Sequence, residues 1–405
     1  MRKLLYFSIL VVMMFFSNNM LFAQSDKSCN VVLLAELQGN YRGNVSWSPD
    51  GKFIAAMFVE LDDYSTLRSL TVHVLDSQTL ELVTSLPQDI LEASMISPLL
   101  WSPDSQSIAI VNGVINIVDI WNVTTGDVKR LKALEDEYVQ EVTWSSDSIQ
   151  LAITGVKRRP LTETRYVEIP YTVSEIARIW NVETQELLTT IEGDLAQIYI
   201  TYYDGQWVVA SRSTTDSMLR VTGLSDKKIY FEQTNAYIVD FKLISDDLML
   251  ATVLLNDDPF MNQGTVWNLT TEAEILEIRG EANLRASRFA EKGATFMAYT
   301  GTPDITLYAL ESGISLSFDN HSVNASPDGK WLLALEISSV GGSVTITPTG
   351  DFTLINLSNG EATVTFPGDL ISVSSVAWSP DSQRVAVAGI SGMLKVWSLE
   401  GCLNP

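Results

Sequence analysis

The chain has 405 residues, of which 46% are hydrophobic and 19% are charged, and its formal net charge is −23. This share of apolar residues excludes wholesale disorder, and the negative charge argues against nucleic acid and anionic membrane surfaces as partners. The length allows two or three ordinary domains or one large repeat fold.

The first residues have the pattern of a secretory signal peptide. Arg2 and Lys3 form a charged start, residues 4–16 form an apolar run, and Ala23 supplies a small residue at the predicted cleavage position. The apolar run is shorter than the roughly 20 residues that span a bilayer. We therefore expect cleavage after Ala23, a mature domain over residues 24–405 that is not inserted in a membrane, and a secreted or periplasmic location.

A short phrase recurs along the rest of the chain: an aromatic or apolar strand end, a turn of the Ser-Pro-Asp type, and a second apolar run. Pro presets φ, Asp can bond the turn backbone, and Gly tolerates positive φ, so the phrase is typical of a tight β-hairpin. The strict or nearly strict copies are marked by Asp50, Asp104, Asp147, Asp328 and Asp381. Worn copies are centred on Asp204, Asp246 and Lys292.

Each copy is followed by a third apolar run and a short fourth strand. Units of four strands, repeated about every 46 residues, predict an all-β fold, a single β-propeller of four-stranded blades. Eight blades are favoured, and seven remain an alternative because the sixth copy is degenerate. We expect the blades to approach one another at a small residue that follows most turns, namely Ala109, Ala152, Ala210, Ala251, Ala334 and Ala386.

Four third strands contain a Trp followed by Asn or Ser, at Trp121, Trp180, Trp267 and Trp397. With the Trp-Ser-Pro-Asp turns, these units resemble bacterial WD-repeat-like and TolB-type propellers over about residues 31–400. The resemblance implies a fold and no particular activity. The Trp-Asp and Gly-His pairs of WD repeats are missing, so their Asp-His-Ser-Trp bonding network is not implied. The short Asn and Ser side chains are instead expected to bond the turn that follows them.

Each end of the repeat region contains a strand arrangement that is incomplete by itself. Residues 31–37 form a strand without a nearby partner, and the last unit stops after its third strand. We expect residues 31–37 to complete the last blade, because this pairing removes two open sheet edges. The pairing places Cys29 beside Cys402, and export to an oxidising compartment then predicts a disulfide that latches the ring. Two unrelated thiols are the alternative.

Four connections between second and third strands are long, at residues 59–68, 155–176, 255–264 and 338–350. Uneven loops on a rigid scaffold are a usual place for binding, so we expect the binding face there, with mere covering of the central channel as the alternative. The candidate binding residues in these loops are Asp62, Asp63, Lys157, Arg158, Arg159, Tyr166, Asp257 and Asp258.

The chemistry of these candidates is open. The basic cluster could pair with an acidic partner or with the protein's own carboxylates. The acidic pairs could hold calcium, but they lack the spaced ligand pattern of a calcium loop, so solvated charge is favoured and neither a metal nor a cofactor is predicted.

Catalytic motifs are missing from the sequence. It has neither a Gly-x-Ser-x-Gly elbow nor a His-Glu-x-x-His motif, and its only histidines are His73 and His321. The leading interpretation is an exported, non-enzymatic scaffold that binds an unknown protein or extracellular polymer as a monomeric ring. The alternatives are a hydrolase or lyase using carboxylates or calcium at the channel mouth, and a subunit of a larger envelope assembly. Convergent buried carboxylates at that mouth would favour the enzyme.

Overall fold

Eight antiparallel sheets account for nearly all of the regular structure. The structure is a computed structural model, and it describes residues 30–61, 67–86, 99–112, 117–132, 137–158, 173–244, 246–254, 263–279, 288–289, 295–299, 305–318, 321–340, 343–346, 351–367, 373–389 and 391–403. The described residues form 33 strands and one short helix. The sheets are the eight blades of a β-propeller.

The strands are numbered in chain order, beginning with β1 (Val32–Gln38). Blade 1 contains β2 (Tyr41–Trp47), β3 (Phe53–Leu61), β4 (Leu67–Asp76) and β5 (Leu82–Ser85). Blade 2 contains β6 (Leu100–Trp101), β7 (Ser107–Asn112), β8 (Ile117–Asn122) and β9 (Val128–Lys132). Blade 3 contains β10 (Glu137–Trp144), β11 (Gln150–Arg158), β12 (Val173–Asn181) and β13 (Leu187–Ile191). Blade 4 contains β14 (Leu195–Tyr203), β15 (Gln206–Ser213), β16 (Met218–Gly223) and β17 (Ile229–Thr234).

Blade 5 contains β18 (Ala236–Ile244), β19 (Asp247–Leu254), β20 (Gln263–Asn268) and β21 (Ala273–Arg279). Blade 6 contains β22 (Arg288–Phe289), β23 (Thr295–Tyr299), β24 (Ile305–Ala309) and β25 (Ser315–Phe318). Blade 7 contains β26 (His321–Ala325), β27 (Trp331–Val340), β28 (Ser343–Ile346), β29 (Phe352–Asn356) and β30 (Ala362–Phe366). Blade 8 contains β31 (Val373–Trp378), β32 (Arg384–Gly389), β33 (Met393–Ser398) and β1, and is followed by α1 (Glu400–Leu403).

The N-terminal strand completes the last blade, as the sequence predicts. β1 pairs antiparallel with β33, with Val32 opposite Ser398 and Leu37 opposite Leu394. The backbone N–H of Tyr41 then donates to the carbonyl of Gly392 at 3.1 Å, so the chain enters blade 1 while still bonded to blade 8. Both the eight-blade count and this closure are confirmed.

The core is divided among the contacts between blades. Eight clusters of buried apolar residues each join one pair of neighbouring blades. The closing contact packs Leu394 and Val396 of blade 8 against Ile54 and Leu75 of blade 1. The small residues predicted at these contacts are all buried within such clusters: Ala109, Ala152, Ala210, Ala251, Ala334 and Ala386. Sheets covered on both faces explain why the strands read as nearly continuous apolar runs.

The recurring Ser-x-Asp turns connect neighbouring blades as well as closing their own hairpins. Ser48 Oγ donates to Asp50 Oδ1 at 2.7 Å and accepts the N–H of Phe53 at 2.9 Å, which closes the turn. The N–H of Asp50 then donates to Ser105 Oγ in the next blade at 3.0 Å. The equivalent bonds run from Asp104 to Ser148 and from Asp328 to Ser382. The acceptor serines adopt positive φ, between 61° and 62°, a conformation that non-glycine residues rarely take.

The first-strand tryptophans also hold the ring together. The indole Nε1–H of Trp47 donates to the carbonyl of Ala377 in blade 8 at 3.0 Å, and that of Trp101 donates to Ser46 in blade 1 at 3.3 Å. Trp144 and Trp378 make the same bond to their preceding blades. Each of these tryptophans therefore ties its own blade to the one before it.

The third-strand tryptophans behave differently. Within the described residues, the buried indole nitrogens of Trp121, Trp180 and Trp397 have no hydrogen-bond partner. The WD-repeat network is thus not formed by these three residues. As expected, the Asn that follows Trp121 bonds the next turn, since Asn122 Oδ1 accepts the N–H groups of Thr124 and Thr125.

Arg384 reinforces the contact between the last and first blades. Gly51 stands where the turns of blades 2, 3 and 8 carry the acceptor serine, so that serine bond is missing at this contact. Instead, Arg384 Nη2 donates to the carbonyl of Gly51 at 3.3 Å, and the guanidinium lies 4.7 Å from the ring centroid of Trp47. A hydrogen bond and a cation–π contact replace the missing serine.

All four of the predicted long connections include residues that belong to strands, and two of them contain extended β-structure. β27 continues to Val340 and pairs with the additional strand β28, with Ile337 opposite Ile346. The long connection predicted over residues 338–350 is therefore present between β27 and β29, but it contains a strand, because the β-branched residues on both sides of Gly341 and Gly342 favour strands. The connection predicted at residues 155–176 is likewise shortened, since β11 and β12 remain paired out to Arg158 and Val173.

Candidate functional site

The antiparallel strands give the ring two distinct ends. The turns from first to second strands and from third to fourth strands lie at one end, which we call the turn face. The connections from second to third strands and from blade to blade lie at the other end, the long-loop face. The first strands of neighbouring blades contact one another at the centre, whereas outer strands such as β5 and β13 are largely exposed.

Most of the predicted binding residues lie outside the described residues. These are Asp62, Asp63, Arg159, Tyr166, Asp257 and Asp258. Lys157 and Arg158 are the last residues of β11, where their backbones pair with Ser174 and Val173 at the long-loop face. The backbones of these two basic residues therefore belong to a paired two-stranded ribbon. The predicted role of all eight residues in binding stays a prediction.

Polar side chains near the long-loop face form hydrogen bonds between neighbouring blades. Glu175 Oε2 accepts the N–H of Ile198 at 2.5 Å, across the contact between blades 3 and 4. Gln197 forms two bonds with the backbone of Ile238, at 2.8 and 2.9 Å, between blades 4 and 5. Asp240 Oδ2 accepts the N–H of Phe289 at 2.8 Å, between blades 5 and 6.

These acceptors lie beside irregularities in the inner strands. The register of β10, β14, β18 and β31 shifts by one residue near the long-loop end. A bulge changes the direction of the side chains beside it and leaves one backbone N–H without its partner in the adjacent strand. A side chain of the neighbouring blade can then accept a hydrogen bond from that N–H. Sequence reasoning missed these residues, because the only signal is an isolated Glu, Gln or Asp in an otherwise apolar strand.

Glu141, Glu175 and Asp240 form an acidic cluster with Tyr199 and Lys242, which we call the inner acidic cluster. Burial raises the pKa of Glu141, the positive charge of Lys242 opposes this rise, and the charge of Asp240 adds to it. Burial also raises the pKa of Glu175, although hydrogen bonds from Ile198 and Gln140 act in the opposite direction. Burial and the charges of all three carboxylates raise the pKa of Tyr199.

Within the described residues, Glu141 is the one carboxylate of the three that accepts no backbone N–H group. Asp240 accepts the N–H groups of Phe241 and Phe289 and lies 3.8 Å from Lys242 Nζ, and Glu175 holds Ile198. Within the described residues, Glu141 forms no hydrogen bond, and no group of three or more His, Cys, Asp or Glu side chains is arranged to hold a metal ion. Although neighbouring residues crowd it, the Glu141 side chain is exposed to solvent. It can therefore take up a proton or pair with a cation, but the described residues around it supply no second free carboxylate.

Glu141→Gln is expected to flatten the pH dependence of stability and to stabilise the protein at neutral pH. Because the folded pKa of Glu141 lies above its ordinary value of 4.5, its contribution to stability is fully present below that pH. This contribution is lost as the pH rises through the folded pKa. Gln resembles the protonated acid and retains the contribution at all pH values. Urea unfolding between about pH 4 and 8 measures the difference.

The same substitution at exposed Glu81, on the turn face, is the control for this experiment. Glu175 remains in the Glu141 variant and contributes in the same direction, so the effect of the substitution is read as the difference in stability from the wild type at each pH. An unchanged slope in Glu141→Gln would show that Glu141 ionises in the folded protein as it does in the unfolded chain.

Comparison with known protein families identifies one of the sequence repeats. The family model described as WD domain, G-beta repeat (WD40) matches residues 360–398. This stretch covers β30, the outer strand of blade 7, and the three inner strands of blade 8. One sequence repeat is therefore offset by one strand from one structural blade. Together with the eight blades, the match supports a WD-repeat-like β-propeller. No curated protein matches the chain.

The WD40 propeller is commonly a protein-interaction scaffold and is typically non-enzymatic, which is consistent with the leading interpretation of the sequence. In the part of the chain that the structure describes, no helix has the length and apolar character needed to cross a membrane.

Proposed function

We propose that this chain is an exported, non-enzymatic WD-repeat-like propeller that binds another protein or an extracellular polymer through its long-loop face. One observation carries the proposal. At the centre of that face, Glu175, Gln197 and Asp240 are engaged in fastening neighbouring blades. Polar groups committed to the backbone stabilise a scaffold, whereas a catalytic site needs free groups that converge on one position.

The long-loop face also carries paired ribbons that extend beyond the blades. In blade 7, residues 337–340 pair only with residues 343–346, past the last residue that β26 reaches, Glu336. In blade 1, Val59, Glu60 and Leu61 pair with β4 beyond the last ladder partner of β2, Phe58. Rigid ribbons hold the adjoining loops at defined positions, which lowers the entropy lost when those loops bind a partner.

The loop residues are proposed to make the contacts. Lys157, Arg158 and Arg159, together with Tyr166, would pair with an acidic patch of the partner. The acidic pairs at residues 62–63 and 257–258 would remain solvated around them. Export of the mature ring, as a monomer, rests on the signal-like residues 1–23 and on the cysteine pair.

Affinity capture from the host's culture fluid or periplasm tests the binding face. A protein or polymer retained by the wild type should be lost with Lys157→Glu/Arg158→Glu, because two attractive charges become repulsive. The matched control is Lys52→Glu/Lys330→Glu, which makes the same charge change at exposed positions of the turn face. Equal loss with both variants, or with neither, would contradict the long-loop face.

A carboxylate-dependent hydrolase or lyase is the second candidate, and uncommitted Glu141 is the observation that favours it. Raised carboxyl pKa values are common where a group donates a proton during catalysis. A panel of glycans and peptides incubated with the wild type and with Glu141→Gln tests this function. Turnover by the wild type that is lost in the variant would overturn the non-enzymatic proposal.

A further inference from the structure

The hairpins of blades 4 and 5 differ from the strict ones on the turn face. In blade 8, six residues separate Trp378 from its partner Val385, which precedes the buried Ala386. In blade 4, eight residues separate the corresponding pair, Ile200 and Val209. The corresponding pair of blade 5, Phe241 and Leu250, is also separated by eight residues. These two neighbouring hairpins are therefore two residues longer and extend further from the turn face.

The turn of blade 4 is a tight two-residue turn. Asp204 and Gly205 both have positive φ, of 48° and 73°, which is the backbone of a type I′ hairpin turn. The extra pairs of this hairpin are Tyr202 with Trp207 and Tyr203 with Gln206. In this hairpin, two tyrosines thus stand in place of the Ser-Pro-Asp sequence that forms hydrogen bonds between blades elsewhere.

Tyr203 and Tyr230 lie at the contact between blades 4 and 5, whereas Tyr202 packs at the contact between blades 3 and 4, and all three are half-buried. The rings of Tyr203 and Tyr230 meet edge to face with centroids 6.3 Å apart, and Thr270 Oγ1 of blade 5 lies 3.4 Å from the Tyr203 hydroxyl. The same end of blades 3, 4 and 5 also carries exposed aliphatic side chains, with exposed fractions of 50%, 55% and 38% for Ile149, Ile229 and Leu243. We call these six residues the tyrosine surface: Ile149, Tyr202, Tyr203, Ile229, Tyr230 and Leu243.

Carboxylates border the tyrosine surface. Burial and the charge of Asp147 raise the pKa of Tyr202, which places Asp147 next to that ring across the contact between blades 3 and 4. Burial and the charges of Asp226, Tyr203 and Asp204 similarly raise the pKa of Tyr230. Within the described residues, Asp204 accepts no hydrogen bond and forms no ion pair.

The surface already holds one cation of its own chain. The ammonium of Lys228 lies 4.5 Å from the ring centroid of Tyr230, and the charge of Lys228 also acts on Asp226. A cation over a tyrosine face, close to a carboxylate, is an arrangement that a Lys or Arg of a partner could repeat at Tyr203 beside Asp204. Half-buried tyrosines near exposed aliphatic residues are typical of protein interfaces.

We propose that the tyrosine surface docks a protein segment in which Lys or Arg side chains alternate with aliphatic ones. Charge complementarity selects this partner: the acidic border attracts cations, while the net charge of −23 repels a second copy of the chain and repels nucleic acid. The site lies on the turn face and is therefore independent of the function proposed for the long-loop face.

A short synthetic peptide of repeating Lys-Leu-Ser units is the probe, and the Glu-Leu-Ser peptide is its counterpart. By fluorescence anisotropy, the full-length wild type should bind the Lys peptide and not the Glu peptide. Tyr203→Ala and Tyr230→Ala should each weaken binding by about tenfold, as expected for loss of an aromatic anchor. Tyr203→Phe keeps the ring and should bind within about threefold of the wild type. Asp204→Asn/Asp226→Asn should weaken binding and reduce its dependence on salt.

Matched controls separate a defined site from general attraction to an acidic protein. Asp127→Asn/Glu81→Gln removes two exposed charges from the turn face of other blades, and Leu82→Ser removes an aliphatic side chain that is 55% exposed in blade 1. Both should bind as the wild type does, as should Lys157→Glu/Arg158→Glu. Equal weakening by the controls would overturn the proposal, and so would equal binding of the Glu peptide. Tyrosine-dependent binding of neutral oligosaccharides instead of the Lys peptide would overturn the partner class.

Discussion

Replacing Cys29 or Cys402 by Ser is expected to lower the free energy of unfolding of the oxidised protein by about 5 kcal/mol. The two cysteines enclose nearly the whole chain, so their cross-link removes a large loop-closure entropy from the unfolded state. Cys402 is fully buried, and the described residues contain no free cysteine. Cys29 lies outside the described residues, but its neighbour Asn30 lies against Gly401, with the Asn30 carbonyl oxygen 2.9 Å from where a Cβ on Gly401 would be.

Denaturant unfolding with and without reductant measures this effect, and non-reducing peptide mapping identifies the linked peptides. The double variant Cys29→Ser/Cys402→Ser should be as stable as the reduced wild type and insensitive to reductant. Recovery of both residues as free thiols from the oxidised protein would refute the latch. The predicted pairing would also be refuted by single variants as stable as the oxidised wild type.

Gly392→Ala is expected to cost about 3 kcal/mol or more in stability, because two penalties coincide at this position. Gly392 has a φ of 85°, which disfavours any residue with a Cβ. A Cβ placed there would also lie 2.1 Å from the carbonyl oxygen of Gly39, at the point where the chain leaves β1 for blade 1. The backbone must shift to relieve this contact, and the shift breaks the bond between Tyr41 and the Gly392 carbonyl.

Gly126→Ala is the matched control, because it separates the conformational penalty from the collision. Gly126 lies on the turn between β8 and β9 and has a similar φ of 79°, and a Cβ added to it would meet nothing within 4 Å. This control should cost only about 1 kcal/mol. Urea unfolding of both variants measures the difference. Equal costs would show that the closure tolerates a backbone shift and that Gly39 and Gly392 are not in tight contact.

The order of strands and the closure of the ring could be predicted from local sequence. The turn phrases mark hairpins through properties of single residues, and the unpaired residues 31–37 have only one complementary partner, the unfinished last unit. Asn122 likewise bonds a turn within three residues of itself, so its role follows from its neighbours. Such inferences succeed because the interacting groups are close in sequence or belong to a repeat.

The contacts between blades could not be predicted in this way. Trp47 and Trp378 look like ordinary strand-end aromatics, yet their indole N–H groups bond the preceding blade. Glu175 bonds a backbone N–H 23 residues away, beside the bulge of β14, and Asp240, beside the bulge of β18, bonds one 49 residues away. A one-residue shift in an inner strand decides which N–H is left for a neighbouring side chain, and the residue types alone do not reveal that shift.

By itself, the sequence determined that this chain is a closed ring of repeated four-stranded units, because short-range turn chemistry and strand periodicity suffice for that. Only the tertiary structure decided which polar groups are committed and which are free. It assigned Glu175 and Asp240 to holding blades together, and left Glu141 exposed and Tyr203 and Tyr230 partly exposed. Hydrogen bonding and burial depend on which residues of different blades become neighbours, and that is settled only when the ring is assembled.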